Sequence, residues 1–129
     1  MEPSFEKHRD GKTLCGDDFS PDQIEAWFRD EAEAYYQLPE EREPGLYAYH
    51  ARNWRHGFSH LPSQLFEHVL CMGGAFGDEI QPVVSRSKKV TVLEPASKFR
   101  NKAFEYVAPN VSGQMPFASN TFDLVTCFG

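Results

Sequence analysis

The sequence predicts an α/β protein with a doubly wound, mostly parallel sheet and a helical N-terminal cap. Its second half alternates short apolar runs with segments of helical character, which is the pattern of chains that form parallel sheets. The first apolar run, His68–Met72, ends in Gly73 and Gly74, as expected of a buried strand that turns into a helix. The first sixty residues carry helical spacing instead.

The chain divides near residue 60, into an arm with a helical cap over 1–60 and a sheet-forming domain over 61–129. Residues 1–19 mix charges with glycine and proline without periodicity, and they predict a loose arm.

Two helices are predicted in the cap. The segment Ser20–Gln23 begins the first, because its serine can cap the helix, its proline fits the first turn and its glutamine completes a capping box. This helix should end near Leu38, before a charged loop at 40–45. The second helix should run from Leu46 to about Phe58.

The sheet-forming half contains four predicted strands, at 68–72, 89–93, about 110–112 and 122–128. Helices are predicted between them at 78–87 and 97–107. The loop at 112–121 is short for a parallel crossover, so any helix there should be reduced or missing.

Composition and charge limit the class of partner. Thirteen basic and nineteen acidic side chains give a formal charge of −6, and no cluster of Lys and Arg offers the basic surface that nucleic-acid phosphates require. No apolar run approaches the roughly 20 residues that span a bilayer, and no signal peptide opens the chain. The three cysteines lack zinc-ligand spacing. We therefore expect a cytoplasmic protein that binds a small molecule or a protein, with no metal, nucleic acid or membrane.

The turn after the first strand is rich in glycine. Gly73, Gly74 and Gly77 surround Ala75 and Phe76. Glycine lets a backbone approach a ligand closely, and a following helix N-terminus offers free N–H groups. Taken alone, the turn fits a tight connection for helix-on-strand packing equally well.

Glu94 favours the ligand interpretation. It stands at the end of the second predicted strand, seventeen residues after Gly77. Doubly wound folds place an acid there, whose oxygens accept hydrogen bonds from ribose hydroxyls. The alternative is a solvated carboxylate at a strand end. Because adjacent parallel strands end in one crevice, the turn and Glu94 together favour a ribose-bearing cofactor.

The turn does not match the nucleotide-binding fingerprints. The dinucleotide pattern G-x-G-x-x-G would need glycine where this chain has Ala75 and Asp78, and a carboxylate would repel a pyrophosphate. The phosphate-binding pattern G-x-x-x-x-G-K-[ST] is absent. The remaining turn suits a ligand with one carboxylate and a sulfonium cation.

Three segments together resemble the class I S-adenosyl-L-methionine (SAM)-dependent methyltransferases, of the small-molecule kind called methyltransferase type 11. Val69–Gly77 resembles the family's first motif, V-L-D-x-G-x-G-x-G, and Val92–Glu94 matches the second. Met115–Val125 is similar to the stretch L-P-F-x-x-x-x-F-D-x-V before the fourth strand. The resemblance implies a Rossmann-like fold, truncated because only about four of its usual seven strands are found.

The resemblance also implies a cofactor site. Its predicted residues are Gly73, Gly74, Ala75, Gly77, Glu94, Pro95, Ser112, Gly113, Gln114 and Met115. The turn would lie under the methionine part of SAM, Glu94 would hold the ribose with Pro95 on the adenine side, and 112–115 would border the adenine. The segment 127–129 would reach the cleft beneath the methyl donor.

Two positions depart from the family pattern. Cys71 stands where the family has an acid that helps to bind the SAM amino group, and Ala75 replaces the central glycine. Both changes should weaken the binding of the methionine part of the cofactor.

The resemblance implies methyl transfer from SAM to a small-molecule acceptor. No catalytic residue is assigned, but an acceptor that needs deprotonation would need a base, and His50, His56 and His60 are candidates. Histidines among aromatics at helical spacing are more often surface or packing residues. The alternatives are a non-catalytic SAM-binding fragment or partner-dependent module and, more distantly, an NAD-dependent oxidoreductase.

The last predicted strand, 122–128, is apolar on both faces, as an interior strand of a parallel sheet is. Because the sequence ends at Gly129, its outer edge would be uncovered and could pair with another chain. We expect a homo-oligomer through this strand, or part of a longer methyltransferase, with little activity alone.

Overall fold

The computed structural model describes residues 18–38 and 45–128. Nearly all of the predicted arm and of the loop at 40–45, together with Gly129, lie outside these ranges. Within them, no helix is both long and apolar enough to cross a membrane.

Four parallel strands form one sheet in the order β3-β2-β1-β4. Their bounds are Phe66–Met72 (β1), Ser87–Leu93 (β2), Glu105–Val107 (β3) and Leu124–Thr126 (β4). This is the order of the first four strands of a doubly wound sheet, and the predicted α/β class with a Rossmann-like parallel sheet is confirmed. The chain builds outward from β1 to β3 and returns to the other side of β1, so the strand order reverses between β1 and β4.

In the described part of the chain, three α-helices accompany the sheet: α1 at Pro21–Tyr36, α2 at His50–His56 and α3 at Gln81–Val84. The capping box at the start of α1 is confirmed, because the Gln23 amide donates to Ser20 Oγ and the Ser20 amide donates to Gln23 Oε1. The second predicted helix is shorter than expected and continues as a 3₁₀ turn at Phe58–His60.

The predicted helix at 97–107 is wrong. The chain forms turns after residue 96, and the last three residues of that segment form β3. The apolar spacing of the segment suggested a helix, but the Asn101 side chain accepts the Ala103 amide and closes a turn. Tyr106 and Val107 are good strand formers, and they align with Val92 and Leu93 of β2. Pairing with an existing strand overrides the local pattern.

Three other predicted elements also differ from the observed ones in position or length. The third strand lies at Glu105–Val107, so the strand predicted at 110–112 is a loop. The helix predicted at 78–87 is reduced to a 3₁₀ turn at Asp78–Ile80 followed by α3, with Pro82 in the first turn of α3. Only Leu124–Thr126 of the last predicted strand pairs with β1. The prediction that the helix between the third and fourth strands is reduced or missing is confirmed, because residues 108–123 form turns and loop.

The centre of the core is β1. Val69, Leu70 and Cys71 are each no more than 1% exposed, and successive residues of a strand point to opposite faces, so both faces are covered here. The main buried cluster is formed by Phe58, Phe66, Val69, Cys71, Ile80, Val83, Val90 and Val92.

Asp123 aligns β4 with β1. Its carboxylate accepts the Glu67 amide at 2.8 Å and the His68 amide at 3.0 Å, and its own amide donates to the His68 carbonyl. The Glu67 amide is the main cause that holds the pKa of Asp123 below its usual value, with the His68 amide adding to it. This exposed carboxylate therefore sets the register of the pair of strands at which the strand order reverses.

We expect Asp123→Asn to lower the free energy of unfolding by about 1 kcal/mol, because an amide cannot accept both N–H groups and the site is exposed. Urea unfolding measures the loss. Asp30→Asn, on an exposed position of α1, is the matched control and should change the free energy little. An equal loss in both variants would contradict the role of Asp123.

Candidate functional site

A cleft of about 1070 Å³ opens at the carboxyl ends of β1, β2 and β4. The turn after β1 forms its floor, Glu94 and Pro95 follow β2, and Cys127 and Phe128 follow β4. One face of α1 and one face of α2 complete its walls. The cleft includes the point where the strand order reverses, which is where open α/β sheets bind ligands.

The glycine turn alternates left-handed residues. Gly73, Ala75 and Gly77 have φ angles of 63°, 46° and 79°. Ala75 adopts this conformation at a cost, because its Cβ crowds the backbone. The Ala75 amide donates to Glu94 Oε2 at 3.0 Å, and the Ala75 carbonyl accepts the Tyr106 hydroxyl at 2.6 Å. Two neighbouring strands thus hold the residue in place.

Glu94 is 7% exposed and joins the turn to the end of β2. Its Oε2 accepts the Ala75 amide, and its Oε1 accepts the Ala96 amide at 3.1 Å. Burial raises the pKa of Glu94, and the two amides and the Arg100 charge oppose that rise. A carboxylate offers about four acceptor positions, so acceptor capacity remains for a ligand. The sequence predicted that this acid stands at the end of β2, but not its bond to the turn.

Tyr106 does not line the cleft but supports its turn, and the sequence did not indicate this role. Burial raises its pKa to about 12, so the phenol stays protonated and keeps donating to Ala75. The helix predicted over this segment concealed it, since only the pairing of β3 with β2 brings the ring under the turn.

Cys71 and Glu79 form a buried pair beneath the turn. Cys71 Sγ donates to Glu79 Oε1 at 3.0 Å. Burial is the main cause that raises the pKa of the Cys71 thiol, and the Glu79 carboxylate adds to it, so the thiol is neutral. A Cβ built on Gly74 would overlap Cys71 Sγ and lie 3.3 Å from Glu79 Oε1. Glu79 also lines the cleft, and the sequence analysis did not single it out.

The structure brings half of the predicted cofactor residues to the cleft. Those that line it are Gly73, Gly74, Ala75, Glu94 and Pro95, and the predicted Cys127 and Phe128 line it as well. Gly77 does not: a Cβ built on it would meet the Phe104 ring, so this glycine is required by packing. Ser112, Gly113, Gln114 and Met115 are exposed in the loop between β3 and β4 and are not part of the cleft wall.

The three candidate histidines have different surroundings, and one of them lines the cleft. His56 lines the cleft. The His50 ring packs edge-on against Tyr47 with 4.9 Å between ring centroids, and His60 Nε2 lies 3.2 Å from the Arg55 carbonyl. No group of acidic, cysteine and histidine side chains among the described residues could hold a metal ion.

One face of α1 forms an aromatic wall of the cleft. It comprises Trp27, Phe28, Glu31, Ala32 and Tyr35. The helix buries none of its residues, so these rings are not part of the core. Lys98 and Phe99 hold the helix, because Lys98 Nζ lies 3.1 Å from Glu33 Oε2 and the Tyr36 and Phe99 rings are 6.3 Å apart.

We expect Gly74→Ala to lower the free energy of unfolding by about 2 kcal/mol, because the added methyl group overlaps Cys71 Sγ. The same change in a Cys71→Ala background should cost clearly less. Gly73→Ala is the control, since its Cβ would lie in open space and its cost is limited to about 1 kcal/mol of left-handed backbone strain. A double-mutant cycle by urea unfolding measures the coupling, and additive losses would contradict it.

Comparisons with known proteins give little. No protein family model matches the chain, and no curated protein matches it. A solved structure that matches is a complex between the Haloferax volcanii Trm112 methyltransferase activator and a protein described as a methyltransferase. The match has 13% identity and a TM-score of 0.47, and it covers 80% of this chain and 45% of that one. The fold assignment above therefore rests on the strand order itself.

Proposed function

We propose that this chain binds SAM in the cleft and is a methyltransferase that acts on a small-molecule acceptor. The observation that supports this most is the joining of the glycine turn after β1 to Glu94 after β2 through Ala75. It places open backbone and a buried carboxylate side by side at the carboxyl edge of a parallel sheet, where a ribose-bearing ligand fits.

The space and charge of the cleft suit the parts of SAM. Nothing lies within 4 Å of a Cβ built on Gly73, which leaves room for the methionine part. Glu94 has acceptor positions left for ribose hydroxyls. The carboxylates of Asp78, Glu79 and Glu94 line the same region, and they attract a sulfonium and an ammonium group but repel a pyrophosphate. This charge favours SAM over a nicotinamide dinucleotide.

Glu79 offers a carboxylate in place of the acid that is absent at position 71. Cys71 is neutral and cannot attract an amino group, but it holds the Glu79 carboxylate beside Gly74 through its thiol. Under this proposal a carboxylate still faces the methionine part of the cofactor. It comes from the 3₁₀ turn after the glycines instead of from β1.

Methyl transfer requires positioning more than acid–base chemistry. When bound, SAM would supply an activated methyl group: an acceptor lone pair would bond to the methyl carbon as the carbon–sulfur bond breaks, and the electron pair would stay on sulfur as a neutral thioether. Holding the two molecules in line supplies most of the acceleration. His56 lines the cleft and is the candidate to accept a proton from an acceptor that carries one.

We expect Glu94→Ala to weaken SAM binding by about 1–3 kcal/mol, which is roughly 10- to 100-fold, because charge-assisted hydrogen bonds to the ribose are lost. Isothermal titration calorimetry measures this. Tyr106→Phe is the matched control, since it removes the other bond to Ala75 without removing a ribose partner, and it should weaken binding far less.

Circular dichroism checks that both variants stay folded. An unchanged dissociation constant in Glu94→Ala would exclude Glu94 from the site. Equal losses in both variants would assign the effect to the turn instead of the ribose.

A further inference from the structure

The two ends of the cleft carry opposite charge. The acids Asp78, Glu79 and Glu94 lie at the β1 and β2 end. At the other end, α2 contributes Arg52 and His56. Phe58, in the 3₁₀ turn that follows α2, packs its ring on Phe128 with 5.0 Å between centroids. Because Phe128 follows β4, the C-terminal end of α2 lies beside β4, whereas Glu94 follows β2 on the other side of β1.

Arg52 is available to a ligand. Its guanidinium group forms no hydrogen bond or salt bridge with any residue in the ranges 18–38 and 45–128. His56 lies one turn further along α2, and residues four apart share a helix face. The planar guanidinium group matches a carboxylate through two parallel N–H donors. Glu31, the acid on the aromatic wall, accepts the Trp27 indole N–H at 3.2 Å.

Aromatic rings surround this basic end. Tyr49, which precedes α2, and Phe128, which follows β4, line it, and the aromatic wall on α1 faces the same cleft. Such rings bind flat apolar groups through offset or edge-on stacking. Tyr47 supports the arrangement, because its hydroxyl accepts Asn53 Nδ2 of α2 at 2.6 Å.

The volume of the cleft slightly exceeds the usual range for a single-ligand site. Sites for one drug-sized molecule measure about 300–1,000 Å³, and this cleft measures about 1070 Å³. A donor at the acidic end leaves the basic, aromatic end open.

We propose that the end of the cleft between β4 and α2 binds the methyl acceptor, and that the acceptor is a planar aromatic molecule with an anionic group bound by Arg52. The binding site stands on its own geometry, and its role as an acceptor site rests on the proposed function. In this arrangement the acceptor ring lies among Tyr49, Phe128 and the aromatic wall, and its carboxylate or phenolate points to α2.

The test is calorimetry of the full chain with 2-naphthoate, 2-naphthylmethanol and 2-naphthylmethylamine, which share one ring system and differ in charge. We expect 2-naphthoate to bind most tightly and Arg52→Gln to weaken it about tenfold, the scale of a lost charge-assisted hydrogen bond. Arg55→Gln is the matched control. It removes the same charge from the same helix at a position outside the cleft wall, and binding should be unchanged.

Two results would overturn the inference: equal affinity for the three probes, or equal weakening by Arg52→Gln and Arg55→Gln. Titration with SAM on the same protein separates this inference from the proposed function. Binding of SAM without Arg52-dependent binding of 2-naphthoate would overturn only the acceptor site. Binding of 2-naphthoate without SAM would keep the anion site and overturn its role in methyl transfer.

Discussion

The hydrogen bond between the Ala75 amide and the Glu94 carboxylate is the constraint around which the cleft is arranged. Ala75 adopts a left-handed conformation that an L-residue avoids, so something must hold it there. Glu94 holds its N–H and Tyr106 holds its carbonyl. These two residues come from the end of β2 and from β3, so the shape of the turn after β1 depends on the strand order β3-β2-β1.

The same constraint explains how one acid has two roles. Glu94 is almost fully buried, and an isolated buried carboxylate is costly. The amides of Ala75 and Ala96 offset part of that cost, and the remaining acceptor positions are what a ribose needs. Cys71 and Glu79 form a second such contact, in which a neutral thiol donates to a carboxylate beside Gly74. Backbone and side-chain donors thus place negative charge at one end of the cleft before any ligand arrives.

Much of the fold was predictable from local sequence. β1 and β2 are apolar runs with clear ends, and the capping box of α1 involves only residues three apart. The third strand was not predictable in this way, because Phe99, Phe104 and Val107 have helical spacing and only pairing with β2 makes Glu105–Val107 a strand. It was predictable that Glu94 and the glycine turn line one cleft, because adjacent parallel strands end at the same edge of the sheet. The roles of Tyr106 and Glu79 were not predictable, since each depends on a contact between segments that the sequence leaves unconnected.

The central claim is that this cleft binds SAM, and calorimetry of the unmodified chain with SAM and with NAD tests it most directly. The account predicts saturable binding of SAM and none of NAD, because the carboxylates of Asp78, Glu79 and Glu94 attract a sulfonium and repel a pyrophosphate. Binding of NAD in preference to SAM, or binding of neither, would contradict it.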